Sequence, residues 1–256
     1  MLNVLVTGAG GFIGKNFISK LQLNPQINIL EYKRSNDKTD LKGLVLKSDF
    51  IYHLAGEVRP TSSDTEFKSS NVTLTKEILE ILKKGNKKTV ILYVSSIHAK
   101  LLKNEYGRTK RESEILIEEY SRENDINCFI YRLPHVFGEE CKANYNSVVS
   151  TWIYNSIKGL DINVFDRGIE MHYVYVQDIV NEFIEKLSSK NNCELYIEPD
   201  NIYETTLGDV VDYIKEFKEN INNTKYLVKK NIFKEKLFIT YKDYWRKLKQ
   251  IWRTYY

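Results

Sequence analysis

Apolar and polar positions alternate along this chain in two rhythms. Short apolar runs at residues 4–6, 27–32, 49–53, 89–94 and 128–131 read as strands, the first and fourth of them buried on both faces. Between them the apolar residues recur at helical spacing. Phe12, Ile13, Phe17, Ile18 and Leu21 form the first such stripe, and helices are predicted at 41–47, from Asn71 to about Lys84 and from Tyr106 to about Asn124. Further helices are expected to end at Lys158, to run over 179–188 with Asp178 as their cap, and to start at Thr206 and end near Asn220. Strand followed by helix, repeated, predicts an α/β fold: a doubly wound parallel sheet with a small C-terminal lobe. The chain is expected to form one unit over 1–256, with its core mainly in 1–140 and the lobe mainly in 141–256.

Glycines punctuate the first strand-to-helix turn, Thr7-Gly8-Ala9-Gly10-Gly11-Phe12-Ile13-Gly14. Gly8 suits a tight turn out of the strand, Gly11 a close approach of backbone to a pyrophosphate, and Gly14 a close packing of helix on strand. A helix start offers unpaired N–H groups and partial positive charge. Phe12 and Ile13 therefore join the three glycines as a dinucleotide-binding turn. At the end of the second strand, Glu31-Tyr32-Lys33-Arg34 puts an acid where an adenosine ribose is hydrogen-bonded and two bases just beyond it. Lys33 and Arg34 favour NADP(H) over NAD(H); the alternative is a solvated turn.

Composition narrows the picture only slightly. The 256 residues carry a formal net charge of +4, spread rather than blocked, which does not point to nucleic acid. No apolar run approaches the about 18 residues of a membrane-spanning helix, and the N-terminus lacks the features of a signal peptide. Cys128, Cys141 and Cys193 are an odd, widely spaced set, expected to be reduced thiols of a cytoplasmic protein. The histidines, His53, His98, His135 and His172, are scattered, so no metal site is expected. Tyr106 and Lys110 share one face of the long helix, but Tyr154/Lys158 and Tyr226/Lys230 repeat that spacing.

The glycine spacing after Thr7 resembles the extended short-chain dehydrogenase/reductase superfamily of the NAD-dependent epimerase/dehydratase type. The resemblance implies that Leu54, Ala55 and Gly56, in the turn after His53, let ribose and nicotinamide approach backbone, while His53 itself is a core residue rather than a catalyst. Asn71 ties helix to strand in such proteins; a plain N-cap is the alternative. Position selects Tyr106 and Lys110, because Tyr106 follows the strand-end pair Ser95-Ser96 and starts the helix expected to flank the cofactor. By resemblance Lys110 binds the nicotinamide ribose and lowers the tyrosine pKa, Tyr106 exchanges a proton with a substrate oxygen, and Ser96, or alternatively Ser95, hydrogen-bonds that oxygen. Arg167 would hold a nucleotide-sugar diphosphate or form a surface ion pair. Too few residues separate Arg34 from Asp49 for the usual further strand.

Asn144-Tyr145-Asn146-Ser147-Val148, Asp166-Arg167, the His53-Leu54-Ala55-Gly56 turn with Arg59-Pro60 and the shortened region resemble, more narrowly, the reductase half of the CapF family of capsular polysaccharide synthesis enzymes. That resemblance reaches to about Tyr241. It implies NADPH-dependent reduction of a 4-keto UDP-sugar of the 6-deoxy-N-acetylhexosamine type for bacterial capsule or O-antigen synthesis, with Asn146 and Arg167 at the substrate, in a homodimer. The family's cupin half, a 3-epimerase, would then be a separate protein. The alternative is a UDP-hexose 4-epimerase that keeps NAD bound. A 4,6-dehydratase would carry an acid pair where Ile97, His98 and Ala99 follow Ser96. The aromatic, basic tail from Tyr241 is expected to dock on protein, with a membrane-surface helix as the alternative.

Overall fold

The computed structural model describes residues 1–59, 61–145, 147–188, 194–226, 228 and 231–255, with side chains to 250. Its elements follow the predicted alternation. In order they are β1 (Leu2–Thr7), α1 (Phe12–Leu21), β2 (Ile27–Tyr32), α2 (Lys38–Lys47), β3 (Phe50–His53), α3 (Asp64–Phe67), a π-helical turn (Lys68–Thr73), α4 (Leu74–Lys84), β4 (Val90–Ser96), α5 (His98–Leu101), α6 (Glu105–Asn124), β5 (Phe129–Leu133) and β6 (His135–Phe137). Then come α7 (Val148–Lys158), β7 (Glu170–Tyr175), α8 (Val176–Lys186), β8 (Tyr196–Ile197), β9 (Tyr203–Thr206), α9 (Leu207–Asn220) and α10 (Ile232–Tyr255). The chain divides into two compact units, one of Met1–Pro134 with Ile179–Asp200, the other of His135–Asp178 with Asn201–Tyr256.

The first unit is built on a six-stranded sheet in the order β2-β1-β3-β4-β5-β8, parallel at every pairing. Parallel strands are covered on both faces, which is why their apolar runs do not alternate. Val4, Leu5 and Val6 are all fully buried. Leu5, Ile51, Ile91 and Ile130 lie in one aliphatic cluster with Ile78, Leu82, Ile117 and Tyr120 from the helices. Phe17, Tyr52, Tyr131 and Phe183 form an aromatic group, and the Tyr52 hydroxyl donates to the Phe183 carbonyl. β1 pairs with β2 on one side and β3 on the other. The chain therefore reverses its direction of winding at the C-terminal ends of β1 and β3, where open α/β sheets bind ligands. β2 is the sheet edge and α2 alone links it to β3, so the expected loss of a strand holds.

Two predicted helix starts are corrected. Asn71 does not open a helix. The helical run begins with a capping box, in which Ser63 accepts from the Glu66 amide and Glu66 accepts from the Ser63 amide, and it continues through the π-helical turn that holds Asn71. Asp178 does not cap α8 but lies in its first turn. Its carboxylate is drawn to Lys236 and the Tyr203 hydroxyl (2.8 Å) instead.

In the second unit β6 and β7 pair in parallel and β7 and β9 antiparallel. Thr206 caps α9 in a second capping box, with Asp209 as its partner. The tail helix begins earlier than expected, at Ile232, and buries Phe233, Leu237, Tyr241 and Tyr244 along one stripe. Phe233 packs against Phe137, Tyr173 and Tyr203, and the Tyr244 hydroxyl donates to the Cys141 carbonyl. This is the protein-docking alternative, at least to Tyr244. Among the described residues no helix is long and apolar enough to cross a membrane. Cys128 and Cys141 are buried free thiols; Cys193 lies outside the described residues.

Candidate active site

The glycine turn joins β1 to α1 at the switch point. Gly8 has φ +71°, and a Cβ there would sit 2.7 Å from the Ala55 nitrogen, so the turn and the segment after β3 touch backbone to backbone. A Cβ on Gly14 would lie 2.3 Å from the Gly8 carbonyl oxygen, which brings α1 hard against the turn as expected. Gly11 is the N-cap of α1 and supplies no side-chain cap, and the first turn has no acid. The amides that open α1, at Phe12 and Ile13, thus keep the donors and the partial positive charge that suit a phosphate. The residues present fit a pyrophosphate-bearing cofactor.

His53 is the core residue the sequence favoured over a catalyst. It is 1% exposed, with Thr7 Oγ1 2.8 Å from Nδ1 and Thr75 Oγ1 2.8 Å from Nε2. Thr75 already donates its hydroxyl proton to the Asn71 carbonyl (2.6 Å). Nε2–H must therefore be the donor to Thr75, and Nδ1 accepts from Thr7. Burial and the Lys110 charge push its pKa down to about 3, so the ring is neutral.

Asn104 starts α6 by accepting from the Gly107 amide (2.8 Å), which sets Tyr106 in the first turn and Lys110 one turn on. The Lys110 ammonium is buried. It donates to the Val94 carbonyl (2.8 Å), lies 4.8 Å from the centre of the Tyr93 ring, and would be 3.0 Å from a Cβ on Gly56. Glycine at 56 therefore leaves room for both Lys110 and Asn71, whose Oδ1 would be 2.7 Å from the same Cβ. Burial lowers the Lys110 pKa to about 8, against the opposing pull of Glu114. Tyr106 is half-buried between the rings of Phe67 and His98. Burial raises its pKa, and a hydrogen bond with Ser96 draws it back. The expected lowering by Lys110 is not the governing influence here; burial is, offset in part by Ser96.

The two serines are told apart by their partners. Ser95 turns its hydroxyl to the buried Glu114 carboxylate (2.6 Å), while Ser96 faces Tyr106 and accepts from the His98 amide (3.3 Å). Asn71 makes the tie rather than the cap. Its Oδ1 accepts from the Glu57 amide (3.0 Å), and its Nδ2 donates to Thr109 Oγ1 (3.1 Å) on α6. The turn after β3 is thereby fastened to the helix that carries Tyr106 and Lys110.

At the β2 end, both predicted bases are already paired. Lys33 meets Glu31 at 2.6 Å, and Arg34 meets Glu57 at 3.0 Å. Glu57 was not singled out from the sequence. It follows the Leu54-Ala55-Gly56 turn without any motif to mark it, and only the fold brings it to Arg34. Arg167, in the second unit, donates to Asp212 (2.7 Å) and to the Gly208 carbonyl (3.2 Å), which is the ion-pair alternative. Asn146, Pro60 and Lys230 lie outside the described residues. Of the rival Tyr-x-x-x-Lys pairs, Tyr154/Lys158 falls on α7 in the second unit, and Tyr226 donates to Glu216 (2.7 Å).

The chain is similar to known proteins over most of its length. Over 223 residues the chain is 35% identical to UDP-2-acetamido-2,6-beta-L-arabino-hexul-4-ose reductase of Pseudomonas aeruginosa, covering 86% of this chain and 58% of that protein. It is similar to the crystal structure of the capsular polysaccharide assembling protein CapF from Staphylococcus aureus, with TM-score 0.84 and 37% identity over 95% of this chain and 66% of that one. The chain thus spans less than two thirds of the length of either protein. UDP-glucose 4-epimerase of Thermotoga maritima shares the fold, with TM-score 0.82 at 18% identity over 96% of this chain and 100% of that one. Residues 4–194 match the NAD dependent epimerase/dehydratase family, and the chain belongs to that family.

Proposed function

We propose that this chain is an NADPH-dependent reductase acting on the 4-keto group of a UDP-sugar of the 6-deoxy-N-acetylhexosamine type, in the synthesis of bacterial capsule or O-antigen precursors. The observation that carries the oxidoreductase chemistry is the grouping of Ser96, Tyr106 and Lys110 beside the glycine turn at the switch point. The similarity to the Pseudomonas aeruginosa reductase supports the substrate class.

A reduced nicotinamide cofactor, held by the glycine turn and Lys110, would supply the hydride for the carbonyl carbon. The chain's own residues handle the oxygen. As negative charge builds there, Tyr106 delivers its hydroxyl proton and Ser96 donates a hydrogen bond, so the product is a neutral alcohol. The raised Tyr106 pKa keeps that proton in place at neutral pH. Lys110 holds a cation beside the site and has N–H donors beyond the one given to Val94. Those donors suit ribose hydroxyls. The α1 amides and the glycine turn hold the pyrophosphate, and Arg34 with Lys33 would meet a 2′-phosphate. Arg167 would hold the sugar-nucleotide diphosphate by exchanging its exposed Asp212 partner.

The epimerase alternative draws on the same residues and on Glu31, an acid suited to an unphosphorylated ribose. Absorbance at the reduced-nicotinamide band separates the two. On mixing with a 4-keto UDP-sugar, net loss of the NADPH band is expected. A tightly held cofactor with no turnover of the added pool would mean epimerisation. The cofactor assignment has its own expected result: Arg34→Ala weakens NADPH binding about tenfold, the worth of one charge-assisted phosphate contact, and leaves NADH little changed. Equal losses for both would count against it.

A further inference from the structure

The surroundings of Glu57 are more elaborate than a surface ion pair requires. The side chain is 2% exposed, although it lies in the loop that follows β3. One carboxylate oxygen accepts from the amides of Val58 (3.0 Å) and Arg59 (2.9 Å) and from Arg59 Nε (2.9 Å). The other accepts from Arg59 Nη2 (2.9 Å) and Arg34 Nη2 (3.0 Å). The Glu57 amide is itself held by Asn71. The carboxylate is thus fixed by its own loop and kept ionised, its pKa held at about 2. Arg34 is the reverse: its side chain is 69% exposed, and it reaches Glu57 through one terminal nitrogen.

Arg34 stands two residues beyond β2. There the Tyr32 carbonyl accepts from the Gly8 amide (2.9 Å), and the Lys33 side chain passes 3.8 Å from a Cβ built on Gly10. The β2 end and the glycine turn are therefore one surface. Arg34, the guanidinium assigned to a phosphate on the adenosine ribose, is on that surface, and it is already bonded to a rigid anion. A 2′-phosphate must compete with that anion for Arg34, and an unphosphorylated ribose need not.

We propose that Glu57 is a specificity-determining residue that sets the ratio of NADPH to NADH affinity by competing with the 2′-phosphate for Arg34. With NADH, Arg34 stays on Glu57. With NADPH, it turns to the phosphate and leaves the carboxylate to Arg59 and the two amides, which keep Glu57 satisfied. The exchange is reversible because the Arg34 end is solvated, where breaking an ion pair costs little. This inference rests on the dinucleotide-reductase reading above.

The test is the affinity of the chain for NADPH and for NADH, measured by nicotinamide fluorescence, in wild type and Glu57→Gln. The variant is expected to bind NADPH about fivefold more tightly relative to NADH, the worth of one exposed ion pair. The gain should vanish in the double variant Arg34→Ala/Glu57→Gln, because the effect runs through Arg34. A ratio that is unchanged or falls in Glu57→Gln overturns the proposal. Should Glu57→Gln fail to fold, the wild type gives the answer by NMR of the Arg34 guanidinium, assigned with Arg34→Lys. Its resonances should shift with NADPH and hold still with NADH, and a shift with both or with neither overturns the proposal. Failure of the wild type to bind either nucleotide would instead overturn the dinucleotide reading, and this inference with it.

Discussion

Replacing Tyr106 by Phe is expected to lower turnover by about 10²-fold or more, the range for loss of a general acid, while NADPH still binds. The substitution keeps the ring that packs between Phe67 and His98 and removes only the hydroxyl. Lys110 keeps its bond to Val94 and its place beside Gly56, so the cofactor cradle is unaffected. Turnover at saturating substrate, with NADPH affinity measured separately, checks this. The rival Tyr154 serves as control. Inactive Tyr154→Phe alongside near-normal Tyr106→Phe would move the chemistry off α6 altogether.

The second large effect is expected on stability. Glu114 lies one turn beyond Lys110 and is fully buried. Its carboxylate takes both Nε (2.9 Å) and Nη2 (2.6 Å) of Arg132, Nη1 of Arg111 (3.0 Å) and the Ser95 hydroxyl (2.6 Å). Arg132 in turn stacks on the Tyr196 ring at 4.0 Å, so β4, β5, β8 and α6 meet at this one charge. Glu114→Gln keeps the shape and removes the anion, taking the paired carboxylate from Arg132 and leaving Arg111 to Glu118. The loss should be about 3 kcal/mol, the lower end for a broken buried pair because both arginines retain some water. For a chain of this size that is a drop of roughly 6–12 °C in Tm. Its pH dependence has a definite sign. The Glu114 carboxyl is held below its ordinary 4.5 by its hydrogen bonds with Arg132, Ser95 and Arg111, in spite of burial. Its contribution is therefore complete above that value and is lost as the pH falls through the depressed one. Thermal melts of wild type and variant should differ most at neutral pH and converge in acid. A constant difference would mean that Glu114 acts through packing alone.

Much of the cofactor half was legible because its requirements are local. A strand, three glycines at fixed spacing and an amphipathic helix are stereochemical demands on neighbouring residues, and β1, the turn and α1 formed where the apolar pattern put them. The shortened link from β2 to β3 could likewise be read from length, since a strand with its own crossover needs residues that are not there. Helix starts were less legible. Ser63 and Glu66 form a plain capping box, but the apolar stripe of α4 drew the predicted start to Asn71, and the π-helical turn that carries Asn71 leaves no periodic mark.

The sequence by itself determined the doubly wound fold, the place of the glycine turn and the pairing of Tyr106 with Lys110 on one helical face, because each follows from spacing within one or two elements. Tertiary structure alone decided which charge meets which. It gave Ser95 to Glu114 and left Ser96 to Tyr106, made Asn71 a tie between the Glu57 amide and Thr109, and set Arg34 against Glu57. These partners are far apart along the chain. They are selected by which strand ends converge and by the rule that a buried polar group must find a partner, and neither is written in local periodicity.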